Sequence, residues 1–486
     1  MLDFLSASIV VLAASSLGIP LLRLKGWKTL HPGWVLAGAL AVAMGLVAAY
    51  SVHPVNTDWF GSLLAADELG GFFALVTLGV TLAVTVASFD SLNSPNGAVY
   101  YGLLSSAALG MLLLSYSKDL LMLFVAWELM SFPTYALAGF DKGRIQSNEA
   151  AVKYAVIGAV SSAIILYAIS LCYGLAGSTQ ISAVVQEFGS HPSLLAGLAV
   201  LLFIAGFGFK MSIVPFHMWI PDAYEGAPTT ISALLAAATK KSGFIAAIRV
   251  LLALATIYAI TQNPVFTMAN IFAVLALVTM TLGNIAALSQ KSMLRLLAYS
   301  SIAQAGYILI GFVPYAYNYT STPAMLGMTG ALFQVLNHAV TKGVAFLAAG
   351  LVLLKLGRTD LEAYNGLGKK MPYTAFTITL AFLSLAGVPP LNGFWGKLLL
   401  FLSVANGPFG WLALAGILNS AFSLGFYAWV IKRMYLDEPE INGRVKEPLA
   451  YLVVFAVAVG LIIGIGLFPQ PVINFASSSV RNIVPG

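Results

Sequence analysis

Fourteen runs of mostly apolar residues, each about as long as a bilayer is thick, dominate this chain of 486 residues. An α-helix needs roughly 20 apolar residues to cross the hydrocarbon core. The composition agrees, because 59% of the residues are hydrophobic and 9% are charged, whereas soluble domains carry about 25% charged residues. The sequence therefore predicts an all-α polytopic membrane protein and excludes an ordinary soluble enzyme.

The predicted spans are separated by turn-forming and charged residues, with connections too short to hold a soluble domain. The first run is followed by a second span and lacks a small-residue cleavage site, so we interpret it as a retained helix. The spans lie at 2–22, 33–53, 69–89, 97–114, 118–140, 150–175, 194–214, 227–256, 266–288, 297–315, 325–354, 372–401, 411–432 and 450–472.

Basic residues between the spans fall almost entirely on one side of the predicted membrane, which we name the basic face. Lys118 and Arg481 are the two on the opposite side. The fifteen on the basic face are Arg23, Lys25, Lys28, Lys142, Arg144, Lys291, Arg295, Lys355, Arg358, Lys369, Lys370, Lys432, Arg433, Arg444 and Lys446. The positive-inside rule places the basic face in the cytoplasm or its equivalent compartment, with both termini outside.

Several kinds of site are excluded by residue usage. The single cysteine, Cys172, lies in an apolar run, which excludes internal disulfides, cysteine-ligated iron–sulfur clusters and cysteine-rich zinc sites. The net charge of +6 comes without the basic block that nucleic-acid binding requires. Phosphate loops, dinucleotide fingerprints and HExxH pairs are also missing. We therefore expect no cofactor and no metal ion in this chain.

A few charged residues nevertheless lie within the predicted spans, where each costs roughly 2.5–3.5 kcal/mol near the bilayer centre. We expect Arg249 to snorkel to an interface, and for Lys153 this interpretation and a functional one remain open. The basic residues are Lys153, Lys210, Lys240, Lys241, Arg249, Lys342 and Lys397, and the firmly intramembrane acid is Glu128. Lys210 and Lys397 lie deep in their spans, so they are the strongest functional candidates.

Two of the spans also contain helix breakers beside these lysines. Gly206–Lys210 is followed by Pro215, and Gly387–Lys397 contains two successive prolines. A broken helix is tolerated in lipid only against protein or a water-filled cavity. Both segments contain the pattern G-F-x-x-K, 187 residues apart, and they cross the membrane in opposite senses. The pattern predicts two inverted five-helix repeats, each with a broken helix, as expected of a transport path.

A lysine and a carboxylate inside a membrane can store and release protons, because burial disfavours the charged lysine and a nearby carboxylate favours it. We therefore expect Glu128 and Lys210 to form a modulated pair, Lys240 to relay protons, and Lys397 to be the last site. His338 and Lys342 share one helix face at positions i and i+4. They are a further candidate relay, or His338 is a packed histidine bonded to a carbonyl.

Three long motifs resemble the antiporter-like membrane subunits of respiratory complex I and its relatives. They are VPFHMWIPDAYEGAP (214–228), GNIAALSQKSMLRLLAYSSIAQAGY (283–307) and SLAGVPPLNGFWGKLLLF (384–401). LMLFVAWELMSFPTYALAGF (121–140) and EAAVKY (149–154) are most similar to the N-type subunit. The L-type subunit carries a long lateral helix after its last spans, and the M-type has a glutamate at the position of Lys397, so both comparisons favour N-type.

The resemblance implies a division into helices 1–3 (1–96), two repeats (97–256 and 266–432) and a last helix with a short tail (433–486). The functional residues of the family match Glu128, Lys210, Lys240 and Lys397. The register next to Lys240 leaves Lys241 as an alternative. The motif NHAVTKGVAFLAAG (337–350) looks more like the L-, M- and Mrp-type pattern, which is consistent with a deazaflavin- or ferredoxin-linked branch.

The function implied by the resemblance is proton translocation in a membrane-bound quinone- or phenazine-reducing complex, in a multi-pass prokaryotic cell membrane. The chain would be a translocase subunit without a redox site. Its partners would be further antiporter-like and small helical subunits, lipid and, indirectly, a peripheral redox arm, with no nucleic acid. The alternatives are a Mrp-type cation/proton antiporter subunit and a non-transporting membrane scaffold.

Overall fold

The computed structural model describes residues 4–22, 31–52, 58–64, 66–89, 96–255, 267–439 and 443–481. Thirteen helices in these ranges are long and apolar enough to cross a membrane. The predicted boundary between the two repeats, at 257–265, lies outside the described residues. So do three residues of the basic face, Arg23, Lys25 and Lys28.

The amino-terminal half of the described chain contains long apolar helices joined by short connections. They are α1 (Phe4–Leu22), α2 (Pro32–Val52), α3 (Glu68–Ala87), α4 (Gly97–Tyr116), α5 (Leu120–Ala138), α6 (Ile145–Ala176), α7 (Ile181–Ser190), α8 (Leu194–Met211), α9 (Ile220–Gly226) and α10 (Thr229–Ala255). Of these, α7 and α9 are too short to span, and α7 buries one apolar face.

The carboxy-terminal half follows the same plan. Its helices are α11 (Met268–Leu288), α12 (Met293–Tyr317), α13 (Thr322–Leu356), α14 (Leu367–Lys370), α15 (Pro372–Ala386), α16 (Asn392–Ala405), α17 (Gly410–Leu436), α18 (Leu449–Leu467) and α19 (Gln470–Val480). The all-helical class is confirmed. The predicted span 372–401 is present as two shorter helices, α15 and α16, so all fourteen predicted runs are helical.

The two helix breaks have the same backbone geometry. Ser212 follows α8 with φ 68°, and Gly387 follows α15 with φ 90°. In each case the amide of this left-handed residue and the next amide along the chain donate to carbonyls of the last helical turn. Such capping satisfies carbonyls that a broken helix would otherwise leave bare in the membrane. The predicted broken helix in each half is therefore confirmed.

The equivalence of the two breaks corrects the register of the predicted repeat. Ser212 and Gly387 are 175 residues apart, whereas the G-F-x-x-K match relates positions 187 apart. Lys210 precedes its break at the end of α8, and Lys397 follows its break inside α16. The G-F-x-x-K segments are therefore not equivalent positions of the two repeats. The equivalent positions are the left-handed residues at the breaks, Ser212 and Gly387.

The loops give a second sign of inverted repetition. The backbone amide of Leu120 donates to the carbonyl of Thr179 at 2.8 Å, and the amide of Ile181 donates to the carbonyl of Lys118 at 3.0 Å. The same ladder of two backbone hydrogen bonds recurs in the second half, where the amide of Met293 donates to the carbonyl of Thr359 at 2.8 Å and the amide of Leu361 to that of Lys291 at 2.9 Å. Five spans separate the first pair of loops from the second, so the two ladders lie on opposite faces of the membrane.

The centre of the molecule is formed by α10 and α12, which are buried along almost their whole length. The 35-residue helix α13 packs against α10, α12, α15 and α16 and so connects the two halves. Close approach at the second break requires glycine, because a Cβ at Gly393 would lie 1.8 Å from the carbonyl oxygen of Ser384.

Candidate functional site: a buried chain of lysines

Five lysines and a histidine lie in the interior, each no more than 4% exposed. A lysine in hydrocarbon is costly unless hydroxyl, carbonyl or aromatic groups compensate it, and each of the five lysines has such partners. The six residues are Lys210, Lys240, Lys241, His338, Lys342 and Lys397. All of them were predicted as candidate site residues, and the structure gathers them around α10, α12 and α13.

Lys210 lies in an aromatic and hydroxyl-lined site at the end of α8. Its Nζ donates to the Ser131 hydroxyl at 3.0 Å and to the Tyr154 hydroxyl at 2.7 Å. The same Nζ lies 4.9 Å from the centre of the Tyr154 ring and 5.5 Å from that of Tyr135. Ring faces attract a desolvated cation, so this site can hold the charged lysine without a carboxylate in contact.

Glu128 lies one turn away from this site on α5. Its spacing to Ser131 and Tyr135, three and seven residues, puts the three side chains on one face of the helix. The Ser162 hydroxyl donates to the Glu128 carboxylate, and the carboxylate lies close enough to act electrostatically on Lys210. Contact between Glu128 and Lys210 is not formed. The two expected partners are therefore held at neighbouring positions in this conformation.

Tyr154 connects the Lys210 site to α10. Its ring stacks on Trp219 with centroids 4.5 Å apart, which fixes the direction of the hydroxyl. That hydroxyl, which Lys210 contacts, also hydrogen bonds to Thr134 at 3.2 Å and lies near the side chain of Thr239. Thr239 immediately precedes Lys240, so hydroxyl groups lie between the first lysine and the next two.

Lys240 and Lys241 follow a π-helical turn of α10, Leu235–Thr239. Such turns change the direction of side chains within a helix and are frequent at functional sites. Lys240 donates to the carbonyl of Ser301 at 2.6 Å and to its hydroxyl at 3.2 Å. The π-helical turn is thus followed directly by a contact between α10 and α12.

Lys241 faces α13 instead. Its Nζ lies 2.5 Å from Nδ1 of His338, and Nε2 of His338 lies 3.3 Å from the Ser301 hydroxyl. Ser301 thereby joins Lys240, His338 and Lys241 in one hydrogen-bonded group. His338 is therefore bonded to a lysine and a hydroxyl, which favours the relay interpretation over that of a histidine bonded to a carbonyl.

Lys342 extends this group by one turn of α13. It donates to the Ser300 hydroxyl at 2.7 Å, and Ser300 in turn hydrogen bonds to the Tyr427 hydroxyl. The side chain of Gln304 lies near Tyr427. Hydroxyl and amide side chains thus continue from the lysines toward the second helix break.

Buried amides complete the connection to that break. Gln334 donates to Gln304 at 2.8 Å, and Asn337 donates to Gln334 at 3.2 Å. Ser384 then donates to Asn337 at 3.0 Å and to Asn392 at 2.5 Å. Ser384 and Asn392 flank the break between α15 and α16. The chain of polar side chains therefore ends at the backbone groups of that break.

Lys397 lies at this end of the chain. Its Nζ donates to the carbonyl of Ala386, the last residue of α15, at 3.0 Å. The same Nζ lies 4.5 Å above the ring of Tyr307. A carbonyl from the break and an aromatic ring are therefore the partners of Lys397, as hydroxyls and rings are the partners of Lys210.

Carboxylates are absent from these contacts. Among the described residues, the ion pairs within 4.0 Å involve none of the five buried lysines. Nor do the described residues contain a group of three or more His, Cys, Asp or Glu side chains that could hold a metal ion.

Two intramembrane cations have a different role. Arg249 is 9% exposed and reaches the end of α3, where it forms a bidentate pair with Asp67, the N-cap of that helix, at 2.8 and 2.9 Å. Lys153 is half-exposed and pairs with Glu149 and Asp222, each at 2.6 Å. Arg249 therefore ties α3 to α10, and Lys153 belongs to a surface ion-pair group.

Known proteins resemble this chain over most of its length. A family model described as "NADH:quinone oxidoreductase/Mrp antiporter, TM" matches residues 117–423. F(420)H(2) dehydrogenase subunit N of Methanosarcina mazei is 42% identical over 443 residues, covering 88% of this chain and 86% of that protein. NADH-quinone oxidoreductase subunit N of Desulfitobacterium hafniense is 37% identical, with 90% of each chain covered.

A solved structure has the same fold. A chain of respiratory complex I from Thermus thermophilus with bound aureothin matches with a TM-score of 0.78 and 31% identity. The match covers 96% of the present chain and 98% of that chain.

Proposed function

Since this chain belongs to the NADH:quinone oxidoreductase/Mrp antiporter transmembrane family, we propose that it translocates protons as the antiporter-like, N-type subunit of a membrane-bound oxidoreductase complex. The relatives named above are subunits of an F(420)H(2) dehydrogenase and of an NADH-quinone oxidoreductase. By analogy, this chain assembles with further membrane subunits, and electrons pass through a peripheral arm that it does not itself form.

The observation that carries the proposal is the buried polar chain between the two helix breaks. It contains Lys210 at one end and Lys397 at the other, and hydroxyl, imidazole and amide groups lie between them. Groups that both donate and accept hydrogen bonds can pass a proton along a line. A structural role alone does not require five buried lysines without carboxylate contacts.

The roles we propose follow from the contacts. Glu128 modulates Lys210 from the neighbouring turn of α5. Lys240 exchanges protons with His338 through Ser301, and Lys241 exchanges them with His338 directly. Lys342 passes the charge on, and Lys397 is the last site before exit. Moving one charge against 100 mV costs about 2.3 kcal/mol, which is comparable to the change in attraction when a buried lysine gains or loses a carboxylate neighbour.

We also propose an orientation and a compartment. The basic face lies in the cytoplasm of a prokaryotic cell, and both termini lie outside. The proposal rests on fifteen basic residues on that face against two on the other. The chain itself needs no cofactor and carries no redox site in this proposal, so the donor and the quinone or phenazine are bound by other subunits.

Purification of the intact complex, followed by mass spectrometry of its subunits and reconstitution into vesicles, tests this proposal. We expect a deazaflavin- or NADH-binding partner to co-purify, and proton translocation to require that electron donor. Sodium-dependent exchange without any electron donor, together with Mrp-type partners, would instead establish the antiporter alternative. Vesicles that oxidise the donor without moving protons would contradict the proposal.

The contact between Lys241 and His338 leads to a prediction about how the central relay works. Because the two side chains touch, Lys241→Ala and His338→Ala remove the same step and should each lower proton translocation about tenfold. The double variant should lose little more than either single variant, since residues acting as a unit are non-additive. Rates of proton uptake in vesicles measure this, and multiplicative losses would show that the two residues act independently.

A further inference from the structure

An apolar groove on the membrane-facing side of the molecule lies outside the lysine chain. It has a volume of about 410 Å³ and is lined by α2, α3, α13 and α18. Its lining residues are aliphatic or small, including Met44, Gly79, Val340 and Val457. Volumes of roughly 300–1,000 Å³ are typical of small-molecule sites, and a site lined in this way suits a hydrocarbon chain.

A second pocket, of about 430 Å³, lies at the basic face and differs in character. The Asp141 carboxylate lines it, and Asn96, Arg144 and Thr229 contribute further polar groups. These last three residues also stand at the amino-terminal ends of α4, α6 and α10, where helix dipoles favour an anion. The groove suits an apolar ligand, whereas this pocket suits a charged or polar one.

The two cavities follow one another along one face of α13, and together we name them the channel. Residues of α13 that follow one another at intervals of three or four lie on a single helix face. The groove is lined by Leu336, Val340, Gly343 and Leu347, and the pocket by Gly350 and Leu354. On α18, Val453 and Val454 line the groove, and Tyr451 lines the pocket. The apolar part therefore leads directly into the polar part.

The dimensions of this channel match one leaflet of a bilayer. From Leu336 to Leu347 a helix rises about 16 Å, which is half of a hydrocarbon core roughly 30 Å thick. The polar pocket begins one turn later, at the depth where head groups of the basic-face leaflet lie. A molecule with an acyl chain and a polar head would place each part against matching side chains.

We propose that this channel binds a phospholipid of the basic-face leaflet, with an acyl chain in the groove and an anionic head group at Arg144. The Arg144 side chain is 39% exposed, and its ion-pair partner in the described chain is Asp141, at 4.0 Å. That contact is long and open to solvent, so a phosphate can displace it by forming paired hydrogen bonds with the guanidinium. The bound acyl chain would fill the space between α3, α13 and α18.

Lipid retention by the purified complex tests the proposal without reference to transport. Gly79→Phe fills the groove, because a Cβ there meets open space apart from the end of Met44 at 3.6 Å. Gly38→Phe is the matched control, since Gly38 is an exposed glycine of α2 with nothing within 4 Å and lies outside the groove lining. Native mass spectrometry after detergent washing reports the lipid that remains.

We expect the natural protein and Gly38→Phe to retain a phospholipid, and Gly79→Phe to lose it. Arg144→Gln should retain lipid but lose the preference for anionic over zwitterionic head groups when both are supplied in mixed vesicles. Equal retention in Gly79→Phe and Gly38→Phe would overturn the site. Retention of a neutral isoprenoid lipid in place of a phospholipid, or an unchanged preference in Arg144→Gln, would overturn the assignment of the head group.

Discussion

Replacing Lys210 with alanine is expected to lower donor-driven proton translocation by about tenfold or more, while the complex still assembles. Lys210 is the first lysine of the buried chain and donates to the Tyr154 hydroxyl, which lies near Thr239 on α10. Without the ammonium group, the carboxylate of Glu128 has no cation with which to exchange charge. Acidification of vesicles, measured together with oxidation of the electron donor, reports the effect.

Two further variants separate the charge of Lys210 from its packing. Lys210→Met keeps most of the side-chain volume, so it avoids the cavity that alanine leaves in the core but should lose translocation equally. Lys355→Ala removes an exposed lysine near the end of α13 and should leave translocation unchanged. Normal proton uptake in Lys210→Met would show that Lys210 is a structural residue.

The membrane architecture could be predicted from the sequence because its cause is local. Each span is a continuous run of apolar residues, and the long helices follow these runs with small differences at their ends, while the run 372–401 forms α15 and α16. The helix breaks could be found for the same reason, since proline and glycine act on the backbone where they stand. The short helices α7, α9, α14 and α19 were missed, because short segments do not stand out among apolar runs.

The partners of the lysines could not be predicted, because they depend on which helices pack together. Tyr154 and Ser301 are far in the sequence from the lysines that they contact, and Gln304 is far from its partner Gln334. A signal existed for some of them: Gln304 and Gln334 are amides inside apolar spans, where an unpaired polar group is costly. Treating buried amides as candidates beside the charges would have identified the second half of the chain.

Arg249 shows what the sequence alone leaves open about a cation inside a span. A cation near the end of a span can snorkel or can find an acid on another helix, and the sequence does not distinguish the two. The Asp67 carboxylate accepts hydrogen bonds from both the Gly70 amide of α3 and the guanidinium of Arg249. The pair is therefore held by α3 as well as by α10. Long-range packing, and not distance from the span end, decided the outcome.

Lys397 offers the sharpest distinction between proton transfer and mere charge. Lys397→Ala should lower translocation by about tenfold or more, because the last protonatable group before exit is lost and the Ala386 carbonyl loses its donor. Lys397→Arg keeps a cation and hydrogen-bond donors, but a guanidinium does not release its proton in proteins. We therefore expect Lys397→Arg to fail nearly as completely as Lys397→Ala.

The arginine variant separates the transporter from the scaffold interpretation of the intramembrane charges. If these charges only held subunits together, Lys397→Arg would preserve both assembly and translocation. Lys432→Arg is the matched control, since the Lys432 side chain is 60% exposed and pairs with Asp437 at 3.4 Å, so it should tolerate the same exchange. Assembly by native gel and proton uptake by vesicles, measured on all three variants, decide the question: rescue by Lys397→Arg would require a structural role for Lys397, whereas an assembled but inactive complex requires a lysine that gives up its proton.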